Sequence, residues 1–132
     1  MQQFQLTIDC TTSDVLDALK THCPAFAQYV EQRLAHDPSW QGSLYIQLEW
    51  AADWCNHLMR QQQDHWVKQT FALISCAYLR ADLATKEVID VGFVEHLFWQ
   101  LPTAIKTNYW LLCPPVLQQL WIGFHGQQDW MR

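Results

Sequence analysis

A chain of 132 residues, half of them apolar, has enough material for one compact core and too little for two ordinary domains. Thirteen acids against eight bases give a formal charge of −5, which disfavours nucleic acid and anionic membrane as partners and tolerates a basic protein. The five cysteines (Cys10, Cys23, Cys55, Cys76, Cys113) are odd in number and lack a CxxC pair, so they read as reduced thiols, not a disulfide framework or zinc ribbon.

Met1 to Gln5 carries neither a basic nor an apolar leader region, and the apolar run from Phe71 to Leu79 is too short to span a bilayer, so the expectation is a soluble, cytoplasmic chain. Phe4, Leu6 and Ile8 alternate with polar residues, which reads as a short N-terminal strand or an extended arm. Thr12 and Ser13 are candidate caps for a first helix, with Asp14 and Asp17 placed against its dipole. Pro24 suits the first turn of a second helix carrying Phe26, Val30 and Leu34, which should stop near Asp37 and Pro38.

After a loop over 39–43, Leu44, Ile46 and Leu48 alternate like a strand. Leu48, Ala51, Ala52, Cys55, Leu58 and Met59 continue one helical stripe, so a third helix is preferred. Asp64 is a plausible cap for a fourth helix over about 65–84, apolar nearly all round and therefore placed at the centre of the fold. A fifth helix is expected over about 85–100, with Gly92 inside it and Pro102 ending it. A short helix through Ile105, Tyr109 and Leu112 follows. The last, after Pro114 and Pro115, should close at Gly123 or Gly126, leaving a loose tail over 127–132 unless Trp130 docks. The fold class is all-α: residues 1–132 as one domain, a bundle of about six helices with short connections.

The third helix raises the question of chemistry. At about 100° per residue, Glu49, Asp53, His57 and Arg60 fall opposite the apolar stripe, where solvent belongs. A metal-dependent hydrolase or metal-binding bundle could use Glu49, Asp53, His57 and His65. Its usual Glu-x-x-His repeat on a second helix is missing, and no cofactor is expected. Trp50 and Trp54 lie on the helix shoulder, either packed under a neighbour or exposed as an aromatic ledge beside Glu49 and Asp53. Enzymatic motifs are absent: there is no GxSxG, HExxH or glycine-rich phosphate loop, and Cys55 and His57, two apart on a helix, point in different directions. His22 beside Cys23 is only an isolated adjacency.

Three segments, SLYIQLEWAADW (43–54), VGFVEHLFW (91–99) and YWLLCPPVLQQLWIGF (109–124), carry a resemblance to a family of small helical bacterial proteins. Most of that family is uncharacterised, and some members are presumed to be immunity proteins for polymorphic or contact-dependent toxins. The likeness covers roughly two thirds of the chain and consists of core and turn signals, with no catalytic or ligand residue to carry over. It implies a protein whose work is to sit on another protein.

The leading expectation is therefore an immunity-type protein that binds and neutralises a cognate toxin domain, itself basic and nuclease-like. Glu49, Trp50, Asp53, Trp54 and His57 are the expected partner-binding residues, and charge reversal at Asp53 should weaken binding. The rivals are the metal-binding bundle and a homodimeric adaptor joined through a tryptophan-rich surface.

Overall fold

Helix starts are decided by local chemistry. In α1 (Thr12–His22) the Thr11 hydroxyl accepts from the Asp14 amide, while the Asp14 carboxylate accepts from the Thr11 amide, a reciprocal cap placed one residue before the expected Thr12. Pro24 opens α2 (Pro24–His36), and Asp37 closes it by turning its carboxylate onto Ser39. The Ser43 hydroxyl caps α3 (Leu44–Arg60), so the strand alternative at Leu44 to Leu48 gives way to helix. The computed structural model describes residues 4–131, and among them seven α-helices and no strand are found.

The fourth helix, α4 (Asp64–Arg80), stops short of the expected Ala84. The N-terminal arm takes up its end: the Asp9 amide donates to the Arg80 carbonyl at 2.7 Å, and the Asp82 amide to the Cys10 carbonyl at 3.1 Å. Ala81 is extended, and Asp82 then caps α5 (Leu83–Val88) by accepting from the Thr85 amide. The arm itself is no strand. A single bridge joins Cys10 to Ala81, Gln5 and Asp9 have positive φ (56° and 63°), and Ile8 points out at 70 % exposure while Phe4 and Leu6 are buried. A bundle of helices offers it no sheet edge to pair with.

The expected fifth helix over 85–100 is three structures. α5 runs into a π-helical turn, Ile89–Val94, laid against α3 with the Tyr45 ring over Gly92, and residues 95–100 form a turn. α6 (Thr103–Trp110) and α7 (Pro115–His125) follow, the latter closed by Gly126 at φ 78°. Residues 127–131 are not a loose tail, because Trp130 packs edge-on against Trp110 and Trp121.

α3 and α4 share the centre. α3 buries ten residues between Gln47 and Met59 and packs against α1, α2, α4, α6 and the π-helical turn. α4 contributes Val67, Phe71, Leu73, Ile74 and Ala77 to the same core, while its far side leaves Leu79 66 % exposed. At the far end Phe98, Trp110, Trp121 and Trp130 form an aromatic cluster in which every pair has ring centroids between 5.4 and 6.0 Å. No helix among the described residues is long and apolar enough to cross a membrane.

Candidate functional site

The periodicity of α3 places Glu49, Asp53, His57 and Arg60 along its outer edge, but that edge is not an acidic ledge. Glu49 Oε1 lies 3.0 Å from His96 Nε2, and Asp53 Oδ2 lies 3.8 Å from Arg33 on α2. Trp50 and Trp54, expected as partner-binding residues, are 6 % and 4 % exposed. α2 packs over that shoulder of α3 and covers them: the Arg33 guanidinium sits 5.1 Å above the Trp50 ring, and Phe26 packs 5.4 Å from Trp54. Among the described residues only Trp40 and Trp99 are exposed tryptophans. Of the proposed set, His57 and Asp53 remain accessible.

The metal set does not assemble. Glu49 is engaged by His96, and His65 stands in the first turn of α4, edge-on to Trp66. No three His, Cys, Asp or Glu side chains among the described residues converge as a bound ion would require. Three buried thiols are held protonated: burial pushes Cys55 well above the ordinary thiol value, Cys113 up to about 12, and Cys23 upward as well. His22 packs edge-on to Phe4.

Two features escaped the sequence reading. The first is a cleft of about 470 Å³ between α2 and α3. Gln32 and Arg33 line it from α2, and Asp53, His57 and Arg60 from α3, with Trp99 at its side. Partial burial raises the Asp53 carboxyl pKa more than the charges of Arg33, His96 and Arg60 lower it.

The second is the turn that carries Trp99. Phe98 and Gln100 adopt φ of 66° and 55°, a region that bulky L-residues rarely enter and that costs roughly 1–3 kcal/mol per residue. Side chains from α3 and α7 hold it there. Asn56, 2 % exposed, donates to the His96 carbonyl at 2.9 Å and accepts from the Phe98 amide at 2.8 Å. Trp121 donates to the Leu97 carbonyl, His125 Nε2 to the Glu95 carbonyl, and Arg60 to the Trp99 carbonyl at 3.3 Å. A carbonyl only accepts, so His125 must carry its proton on Nε2. The result is a sharp division: Phe98 turns into the aromatic cluster at 2 % exposure, and Trp99 stands out at 61 %. Asn56 was the visible signal, a polar residue inside the apolar stripe of α3 that needs buried partners.

No curated protein and no solved structure matches the chain. A family model described as a domain of unknown function, DUF7674, matches residues 16–130, from within α1 to the docked Trp130, and the chain belongs to that family.

Proposed function

We propose that the chain is an immunity-type binding protein that neutralises a cognate toxin domain by direct contact, acting in the cytoplasm without catalysis of its own. The observation that carries this reading is Trp99, a large aromatic 61 % exposed on a backbone that five side-chain hydrogen bonds pin in place. An anchor already fixed loses little conformational freedom on docking, and tryptophan is the residue most enriched where binding energy concentrates. The contact surface moves accordingly from the Trp50 and Trp54 shoulder to Trp99 and the neighbouring α2–α3 cleft, keeping Asp53 and His57. The toxin class comes from the resemblance of the three segments. The net charge of −5 favours encounter with a basic toxin, acting over a Debye length of about 8 Å.

The test is capture from the native host with the tagged chain and its Trp99→Ala variant side by side. One toxin domain should be recovered near equal stoichiometry by the former and lost with the latter. Recovery of no toxin domain by the unaltered chain, or equal recovery by both, overturns the reading.

A further inference from the structure

We propose that the α2–α3 cleft is a carboxylate-reading site, which takes an acidic loop of the partner protein alongside Trp99. This rests on the binding-protein reading above and adds the chemistry of the contact. The chain as a whole carries five more acids than bases, yet the cleft sets Arg33, Arg60 and His57 against the single acid Asp53. Its local charge is opposite in sign to that of the molecule.

Arg33 is only loosely paired with Asp53, and Arg60 with no described carboxylate. Arg33 donates to the Tyr29 hydroxyl at 2.6 Å and lies over the Tyr29 and Trp50 rings, while its distance to Asp53, 3.8 Å, exceeds the 2.7–2.9 Å typical of a close charge-assisted bond. Arg60 has no described carboxylate within 4.0 Å and gives one N–H to the Trp99 carbonyl, leaving the rest of its donor fork for a ligand. Asp53, its side chain 47 % exposed, lies within the field of both arginines. An incoming Asp or Glu competes with Asp53 for Arg33, pairs with the N–H groups that Arg60 leaves unused, and lays its neighbouring apolar atoms on Trp99. Long-range attraction to a basic toxin and local reading of one acidic loop on it are compatible, because the first depends on net charge and the second on contact.

The sign of the Asp53 effect separates this from an acidic face awaiting a basic residue. The isotopically labelled full chain is titrated, by amide chemical shifts, with acetylated and amidated Ser-Glu-Leu-Glu-Ser and with its lysine counterpart Ser-Lys-Leu-Lys-Ser. The acidic peptide should perturb residues of the cleft and the Trp99 indole, and the lysine peptide should not. Asp53→Asn should tighten the acidic peptide about threefold, and Arg60→Glu should weaken it about tenfold, with urea midpoints of both variants confirming that they fold. No perturbation by the acidic peptide, equal perturbation by the two, or weaker binding by Asp53→Asn overturns the proposal. If the peptide fails while a toxin domain is still captured in a Trp99-dependent way, the carboxylate chemistry falls and the binding function stands. If the peptide binds as described and no toxin is captured, the reverse holds.

Discussion

Phe98 and Trp99 are chain neighbours that belong to two different regions. Phe98 enters a closed aromatic cluster with Trp110, Trp121 and Trp130, where the Trp121 indole N–H is hydrogen-bonded to the Leu97 carbonyl. Trp99 faces the open α2–α3 cleft, where Arg33 is loosely paired with Asp53 and Arg60 bonds one carbonyl with donor capacity remaining. In the cluster, interactions are completed within the chain and their energy goes into folding. In the cleft they are half-completed, which is the condition for binding something else. The hydrogen-bonded turn that carries both residues holds the one ring buried and the other exposed.

The comparison breaks most visibly at Phe98. Phe98→Ala should cost about 4 kcal/mol, as expected for emptying a fully buried aromatic site, measured by urea denaturation. Phe98→Gly should be no less stable than Phe98→Ala, although glycine is ordinarily the worse of the two, since only glycine occupies φ 66° without strain. A glycine variant clearly below the alanine one would show that the turn is not strained at this residue. Asn56→Ala comes next at about 3 kcal/mol, because it orphans two buried backbone groups, the His96 carbonyl and the Phe98 amide. It should also release Trp99, seen as faster hydrogen exchange across 95–100. A loss below about 1 kcal/mol would mean that water replaces the amide and that the clamp is not what fixes the turn.

How much of this the chain spells out differs by element. The start of α2, the stop at Asp37 and the stripe of α3 depend on residues close in sequence and are readable there, and the close of α7 is readable as one of two glycines, Gly123 or Gly126. α4 ends at Arg80 because the N-terminal arm, some seventy residues earlier, hydrogen-bonds its last turn, and no local pattern encodes that partner. The 95–100 turn hides inside a run, His96-Leu97-Phe98-Trp99-Gln100, whose composition suits a helix up to Pro102. Only the cross-chain reach of Asn56, Trp121 and His125 converts it. Trp50 and Trp54 have the same composition as an interface ledge, and their burial follows from where α2 crosses, a tertiary fact.

Alkali should act on the closed region before the open one. Cys113 moves from 9.0 to about 12 and Tyr109, which donates to Asp64, from 10.0 to about 12, both chiefly through burial. These groups are held protonated in the folded chain at pH values where the unfolded chain has released the proton. Their contribution is complete below pH 9 and is lost as pH rises towards 12. Stability should therefore fall through that window, and Cys113→Ala should make the fall shallower by about 1 kcal/mol per pH unit. Urea midpoints at intervals from pH 8 to 11 measure it; an unchanged slope would place the alkaline sensitivity elsewhere.

The smallest expected change in stability is at Trp99, and it sharpens the comparison most. An exposed ring that completes no internal hydrogen bond adds little to the fold, so Trp99→Ala should stay within about 0.5 kcal/mol of the unaltered chain. The turn should survive it, because Arg60 bonds the residue's backbone carbonyl and not its side chain. A loss comparable to that of Phe98→Ala would mean that Trp99 is a structural residue, and the strain of the turn would then need another explanation. A neutral result, together with loss of the captured partner, would separate folding from binding at a single peptide unit: residue 98 carries the one and residue 99 the other.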